Sequence, residues 1–257
     1  MAILTFLGTG TSQGVPMIGC HCKVCSSADS KDKRLRSSLF IEENGVRILI
    51  DAGPDFRYQL LRNGIDDLDA IILTHEHKDH TGGLDDVRAI NYMKNKVMPI
   101  YCEERVAKSL EKEYYYAFKT DKYPGSPEFE VKIIDSNRFF IKGIEITPVR
   151  VYHNNLPIFG YRIGNFAYIT DASRIPEEEY DKLKELNIFI INTVRRERHQ
   201  AHFSLAEAIE VAKKTGAKRS FLIHLSHQIG THEDLSRSLP DNIEAAYDNL
   251  KVNSDLL

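Results

Sequence analysis

Short apolar runs alternate with polar and amphipathic stretches along most of this chain. The apolar runs are rich in Ile, Val, Phe and Tyr and are bounded by Gly, Asn or Asp, which is typical of β-strands. The predicted strands are Ile3–Leu7, Ser38–Glu42, Arg47–Asp51, Ala70–Thr74, Glu145–Val151, Phe166–Thr170, Ile188–Asn192 and Arg219–His224.

Amphipathic stretches between these strands predict helices. They cover Phe56–Asn63, Leu84–Met93, Glu103–Tyr116, Glu177–Leu186 and Leu205–Thr215. The last of them should begin after Ser204, because Ser is a favoured N-cap and Glu207 stands three residues on, as in a capping box. Strand pairs dominate the first half, and helix and strand alternate in the last third. We therefore expect one α/β domain over residues 1–257, with two sheets flanked by helices.

The composition narrows the class of protein. A hydrophobic content of 42% in 257 residues is enough for a sizeable core, and a net charge of −3 argues against a protein dominated by nucleic-acid electrostatics. We find no apolar run near the roughly 18 residues of a membrane span. The N-terminal MAILTFLGTG lacks the basic region of a signal peptide, so we expect a cytoplasmic protein without membrane contact.

Candidate metal ligands follow directly on a buried-looking strand, in the run HEHKDH. His75 and His77 are two residues apart, so their side chains point to a similar side and can reach one ion. Asp79 and His80 can reach a second ion. Zinc, manganese and iron all accept these ligands, and two ions roughly 3.5–4 Å apart can activate water. Further ligands must come from other strand ends, where His153, Asp171 and His224 stand.

Two motifs carry a family resemblance. THEHKDHTGG, residues 74–83, resembles the HxHxDH signature of the metallo-β-lactamase superfamily, and ILIDAG, residues 48–53, resembles the earlier aspartate motif of that superfamily. The resemblance spans nearly the whole chain. It implies an αββα sandwich of two mixed sheets, with a metal pair at one edge of the sheets.

The resemblance also implies a division of the ligands. The first ion would be held by His75, His77 and His153, and the second by Asp79, His80 and His224. Asp171 would bridge the two ions, and Asp51 would orient one of the ligands through a hydrogen bond.

A second cluster consists of three cysteines within six residues, Cys20, Cys22 and Cys25. In a reducing compartment, clustered thiols are more often metal ligands than disulfides. Three thiolates need one more ligand for a closed tetrahedral zinc site. His227 is a good candidate, and the nearby alternatives are His21 and His232.

The segment GTGTSQGVPMIGCHCKVC, residues 8–25, narrows the resemblance to one branch of the superfamily. It is similar to the phosphoribosyl cyclic phosphodiesterases of bacterial phosphonate breakdown and their close relatives. That branch pairs a CxCxxC loop with a histidine that completes a structural zinc. The resemblance implies that His227 is this histidine, and that the zinc ties the N-terminal loop to the last loop of the active site.

The same branch implies a substrate and a mechanism. The substrate would be a small phosphodiester, either linear or cyclic, attacked by a hydroxide held between two zinc or manganese ions, with iron as an alternative. Asp79 would be essential to this chemistry. His202, just before the helix that starts near Ser204, would protonate the leaving group, and His199 is the rival for that role.

Other functions remain open at this point. They are a tRNA 3′-processing endonuclease, a thioesterase or lactonase of the same fold, and a non-enzymatic zinc-binding adaptor. Nucleic acid is not favoured, because we see no basic Gly/Pro-rich arm and the net charge is negative. Relatives in the superfamily form dimers, so a homodimer is compatible with the sequence. The aromatic stretch Tyr114–Tyr123 could line a substrate rim, but core packing or a subunit interface is the favoured interpretation.

Overall fold

The computed structural model describes residues 2–254 and arranges them around two seven-stranded sheets. The strands are β1 (Ala2–Gly8), β2 (Ser38–Glu43), β3 (Val46–Ile50), β4 (Ala70–Ile72), β5 (Met98–Cys102), β6 (Phe129–Ile133), β7 (Phe139–Ile141), β8 (Ile144–His153), β9 (Leu156–Ile163), β10 (Phe166–Ile169), β11 (Ile188–Asn192), β12 (Arg219–Ile223), β13 (Ile243–Ala245) and β14 (Lys251–Asn253).

Helices connect many of these strands. The α-helices are α1 (Phe56–Asn63), α2 (Lys78–Thr81), α3 (Val87–Lys94), α4 (Glu104–Glu113), α5 (Tyr115–Phe118), α6 (Leu205–Thr215) and α7 (His232–Ser236). Short 3-10 helices cover Ser30–Asp32, Leu84–Asp86, Glu177–Leu183 and His227–Ile229. None of the helices within residues 2–254 is long and apolar enough to cross a bilayer.

Both sheets are mixed, and each is built on the same plan. The first has the order β14-β1-β2-β3-β4-β5-β6, antiparallel from β14 to β3 and parallel from β3 to β6. The second has the order β13-β12-β11-β10-β9-β8-β7, antiparallel from β7 to β10 and parallel from β10 to β13. Parallel strands end at the same edge of a sheet, so the loops that follow them lie together.

Strand β3 shows how the layers form. Its Ile48 and Ile50 side chains pack into the core between the two sheets, whereas Leu49 points outward to the core under α1, α3 and α4. On the second sheet, Phe189 of β11 points outward and belongs to the same buried cluster as Ala208 of α6. Side chains alternate along a strand, so each sheet packs one face on the other sheet and the opposite face on helices. The predicted αββα sandwich is confirmed.

The predicted strands are all present, with ends shifted by up to two residues. The predicted helix at Leu205–Thr215 is confirmed, and so is its capping box: Ser204 Oγ accepts from Glu207 N, and Ser204 N donates to the Glu207 carboxylate. The α-helix predicted over Glu177–Leu186 was wrong in type, since a 3-10 helix over Glu177–Leu183 stands there. The predicted Glu103–Tyr116 helix breaks at Tyr114, where φ is −103° and ψ is 33°.

Strand β9 escaped prediction because Pro157 and Gly160 lie inside it, and both residues usually interrupt a strand. The glycine has a packing reason. A Cβ at Gly160 would lie 2.6 Å from Ile169 Cδ1 and 2.8 Å from the Tyr168 carbonyl oxygen on the neighbouring strand.

Candidate metal centre

Three polar residues that follow strands of the two sheets have an unusual backbone conformation. Asp51 follows β3, Asp171 lies just beyond β10, and His224 follows β12, and their φ angles are 63°, 56° and 57°. This left-handed region is uncommon for residues other than glycine. Such outliers persist where the surrounding structure holds them, and they cluster at functional sites.

The HEHKDH segment turns around the aspartate loop that follows β3. Ala52 N donates to the His80 carbonyl at 2.8 Å, and Gly83 N donates to the Ala52 carbonyl at 2.9 Å. The approach requires a glycine, since a Cβ at Gly53 would lie 2.1 Å from the Asp79 carbonyl oxygen. These contacts explain why the two motifs, although separated in sequence, form one site.

Asp171 lies at the middle of the site. Its Oδ1 is 3.1 Å from His224 Nδ1 and 3.4 Å from His80 Nε2, and its Oδ2 is 3.7 Å from His75 Nε2. Asp79 Oδ2 is 3.2 Å from His80 Nε2. One group of mutually close ligand atoms, all within 4.8 Å, comprises Asp79, His80, Asp171 and His224.

A second group of mutually close ligand atoms comprises His75, His77 and Asp171. His153 lies beside it, with its ring centroid 5.1 Å from that of His77, but its closest ligand atoms group with Asp171 and His202. The structure therefore brings together every residue that the family resemblance implies for the two ions, with Asp171 in both halves. Their role as ligands stays a prediction.

Asp51 orients the ring of His80. The buried Asp51 Oδ2 is 2.7 Å from His80 Nδ1, and the carboxylate also accepts from Thr74 N at 2.9 Å and from Thr74 Oγ1. A carboxylate partner places the proton on Nδ1, so the other nitrogen of His80, Nε2, faces Asp79 and Asp171. The contact supports the orienting role that the resemblance implies for Asp51, which stays a prediction.

The ligand atoms fit a pair of divalent cations. His75 Nε2 and His80 Nε2 are buried and have no hydrogen-bond partner within residues 2–254, although both face carboxylates. His153 Nδ1 lies 2.8 Å from the carbonyls of Asp171 and Ala201, which leaves Nε2 as the nitrogen that can bind a metal. Buried imidazoles and carboxylates with converging free atoms are what zinc, manganese or iron require.

Burial and neighbouring charges shift the pKa values of His75 and His80 in opposite directions. Burial lowers the pKa of His75 well below the usual histidine value, and the charge of His80 adds to this effect. Burial also opposes a charge on His80, but the carboxylates of Asp171, Asp79 and Asp51 outweigh it and raise the pKa of His80 well above the usual value. Burial raises the pKa of Asp51, despite its hydrogen bonds to His80 and Thr74.

His202 stands next to this cluster, and His199 stands next to His202, with ring centroids 4.9 Å apart. The His202 ring centroid is 5.0 Å from that of His224 and 4.7 Å from that of His153. Burial lowers the pKa of His202 to about 3, and its Nδ1 has no hydrogen-bond partner within residues 2–254. His199 Nδ1 instead accepts from Ala201 N at 3.1 Å. The geometry therefore favours His202 over His199 for contact with a substrate.

The cysteine loop meets the last strand-end loop of the site. Cys20 Sγ and Cys22 Sγ each lie 3.3 Å from His227 Nδ1, and together with Cys25 their ligand atoms lie within 4.8 Å of one another. Of the alternatives, His232 Nδ1 is instead 3.4 Å from Arg34, and His21 lies outside the group. Three sulfurs and one nitrogen suit a closed tetrahedral zinc site.

Other residues named from the sequence lie outside the clusters. Tyr114 is buried, and its hydroxyl donates to the Thr81 carbonyl at 2.8 Å, whereas Tyr115 and Tyr123 are exposed.

One residue beside the metal ligands was not foreseen. The buried Ser37 Oγ lies 3.3 Å from His224 Nδ1. A lone serine before a strand offers no sequence signal that could have identified it.

Comparisons with known proteins identify the superfamily and its fold. A sequence model described as a Beta-lactamase superfamily domain matches residues 46–225. Among solved structures, a diphosphatase from the PhnP family superposes with a TM-score of 0.92 at 39% identity, covering 98% of this chain and 96% of that one. Zn²⁺-bound PqqB from Methylobacterium extorquens has a TM-score of 0.81 at 17% identity, covering 98% and 100%, and so shares the fold alone.

A curated relative is longer than this chain. The octanoyltransferase of Porphyromonas gingivalis W83 is 43% identical over 96% of this chain, which corresponds to 50% of that protein. The chain therefore spans about half the length of that relative.

Proposed function

The chain belongs to the β-lactamase superfamily, and on that premise we propose that it is a metal-dependent hydrolase that cleaves a small phosphodiester. The observation that carries the proposal is the convergence of the other six predicted ligands on Asp171, with His202 directly beside them. The relative with 39% identity supports it, because it is named for hydrolysis of a diphosphate, a reaction at phosphorus.

The proposed metals are two zinc or manganese ions, with iron as an alternative. The first would be held by His75, His77 and His153 and the second by Asp79, His80 and His224, with Asp171 common to both. When bound, such a pair supplies an activated water and positive charge beside the phosphoryl oxygens. Asp51 would keep His80 in the tautomer that binds, through its 2.7 Å contact with Nδ1.

The proposed role of His202 is to move a proton to the leaving oxygen. With its pKa lowered to about 3 by burial, the ring is neutral at pH 7 before substrate binds. A phosphate anion beside it would favour the imidazolium form and raise the pKa, because an opposite charge stabilises the charged state. General acid catalysis of this kind contributes typically about 10²–10⁴-fold.

The other readings have less support. A tRNA-processing endonuclease needs a basic surface, and the net charge of this chain is −3. An acyl transfer activity would follow the name of the Porphyromonas relative, but this chain corresponds to only half of that protein. The cysteine cluster with His227 resembles the phosphodiesterase branch rather than the thioesterases or lactonases.

A substrate panel tests the proposal. Metal-loaded protein would be given bis(p-nitrophenyl) phosphate, a cyclic nucleotide, a nucleoside diphosphate, an octanoyl thioester and precursor tRNA. We expect turnover of a phosphodiester that a chelator abolishes and added metal restores. Tight, salt-sensitive binding and cleavage of tRNA would instead identify an endonuclease. Turnover of the thioester alone would identify a thioesterase, and no turnover of any compound would favour the adaptor.

A further inference from the structure

Glu76, the residue between His75 and His77, makes an ion pair that the proposed chemistry does not use. The rings of His75 and His77 contact each other, with centroids 4.6 Å apart, whereas Glu76 contacts Arg105. Its Oε1 accepts from Arg105 Nη1, and its Oε2 is buried without a hydrogen-bond partner within residues 2–254. The exposed fractions of the two side chains are 23% for Glu76 and 35% for Arg105.

The same arginine reaches the second sheet. Arg105 Nη2 donates to the Pro157 carbonyl at 2.8 Å. Pro157 on β9 pairs with Tyr152 on β8, and the next pair of the ladder is His153 with Leu156. One guanidinium therefore contacts the segment that carries His75 and His77 and the hairpin that carries His153.

A second ion pair extends this link. Arg150 on β8 donates to both carboxylate oxygens of Glu103, at 2.6 Å and 3.0 Å. Glu103 Oε2 in turn lies 3.9 Å from Arg105 Nη2. Glu103 is the N-cap residue of α4. The Arg150 guanidinium also stacks 3.7 Å from the Phe159 ring centroid, which fixes it against the second sheet. The chain Glu76–Arg105–Glu103–Arg150 thus connects both sheets at the edge of the site.

This placement matters because the ligands proposed for the first ion come from different sheets. His75 follows β4 of the first sheet, whereas His153 ends β8 of the second. Binding one ion requires both to be held at fixed relative positions, and partners of metal ligands commonly supply that constraint. The ligands proposed for the second ion have other supports, because Asp79 and His80 lie in α2 and His80 Nδ1 is 2.7 Å from Asp51.

We propose that Arg105 is a positioning residue that holds the His75–His77 segment in register with the His153 hairpin, and so sets the affinity of the first ion. A guanidinium suits this role because its planar fork can donate to a carboxylate and a carbonyl at once, which an ammonium cannot do in the same geometry. The inference rests on the proposed ligand set and not on the proposed substrate.

Metal binding to Arg105→Met tests this role without any substrate. Cobalt(II) would be titrated into metal-free protein against a competing chelator, with thiolate charge-transfer absorbance marking the cysteine site. We expect the affinity of one ion of the histidine–aspartate pair to fall about 10-fold, the lower end of the range for a lost hydrogen-bond partner of a ligand, because Arg105 acts through Glu76 and Pro157. The other ion of the pair and the cysteine site should keep their affinities, and Arg105→Lys should give an intermediate loss.

Arg138→Met is the matched control, because Arg138 pairs with Glu145 on the surface of the second sheet at 3.3 Å. It should leave all the affinities unchanged, and the two metal-free variants should unfold at similar temperatures. If Arg105→Met lowers all the affinities together, or none, the proposal is wrong. If Arg105→Met does not fold, Glu76→Gln carries the same test, since the amide keeps the shape and removes the ion pair. Phosphodiester turnover is assayed separately, so either proposal can fail alone.

Discussion

The two clusters of metal-binding side chains differ in what holds them in place. The histidine–aspartate cluster stands on strand ends of both sheets, and His75, His80, Asp171 and His224 are at most 2% exposed. The cysteine cluster stands on a loop without strands or helices over residues 20–29, and Cys22 is exposed. Strand ends position the first cluster, whereas loop contacts, such as the packing of Val24 and Cys25 on Val15, position the second, and a bound ion would add to them.

The two clusters are nonetheless neighbours. His224 of the first and His227 of the second are three residues apart, and both line one surface pocket together with His202. A loop held by an ion at the cysteines would thus form part of the wall of the active site. Mutations should separate the two contributions. Substitutions in the first cluster should abolish hydrolysis, and substitutions in the second should mainly lower the thermal stability.

The largest effect is expected for Asp79→Ala. Loss of a group that only supports a metal ligand costs about 10–100-fold in affinity or activity, and Asp79 is a proposed ligand itself, so we expect hydrolysis of bis(p-nitrophenyl) phosphate to fall to background. The fold should remain, because Asp79 contributes little to the core. Asp181→Ala is the control, since the exposed Asp181 pairs with the exposed Lys184 far from the cluster's ligands. Near-normal turnover by Asp79→Ala would show that the histidine–aspartate cluster is not the site of hydrolysis.

His202→Ala should be next in size. We expect kcat to fall by about 10²–10⁴-fold, because the leaving group would lose its acid. His199→Ala is the matched comparison and should change kcat by less than about threefold, well below the general-acid range. Steady-state kinetics of both variants, with metal content checked, decide between them. A larger loss for His199→Ala would reverse the assignment.

Cys22→Ser should affect stability more than rate. The variant should release one zinc per chain and lower the Tm by several degrees, given that 1 kcal/mol is worth about 2–4 °C in a chain of this size. Turnover at 25 °C should fall only secondarily. Zinc analysis and calorimetry provide the measurement, and retention of every zinc would show that the cysteine cluster is not a metal site.

Alkylation provides the smallest and most local test. In the metal-free protein the Cys25 N–H and His227 lower the pKa of Cys22 to about 6, whereas burial raises the pKa of Cys25 to about 11 and of Cys102 to about 12. The thiolate is the reactive form, so at pH 7 iodoacetamide should label Cys22 far ahead of the other two. Its rate should rise as the pH increases through about 6 and level off above it. Added zinc should block labelling, and mass spectrometry reads each site.

The sequence was informative where the chemistry is local. HEHKDH lies within six residues, and the alternation of β3 places Asp51 at the end of a strand that is buried on both faces. The left-handed turns at Asp171 and His224 could not be foreseen, because neither residue type requires them. The approach of Arg105 to Glu76 and Pro157 also depends on how two sheets pack, which no spacing within the chain records.

Recognition of the superfamily therefore rests on short motifs, whereas the roles within the site rest on contacts between distant segments. Ser37 and His224 are 187 residues apart, and Cys20 and His227 are 207 apart. Hydrophobic patterning predicts the strands that bring such residues together, but it does not specify which side chains meet at their ends.

Turnover of bis(p-nitrophenyl) phosphate by protein stripped of metal and then reloaded with zinc or manganese is the most direct test of the central claim. The account predicts no turnover by the stripped protein and restored turnover on reloading, saturating at two ions per histidine–aspartate cluster. If protein shown to carry both ions gave no turnover with either zinc or manganese, the central claim would be contradicted.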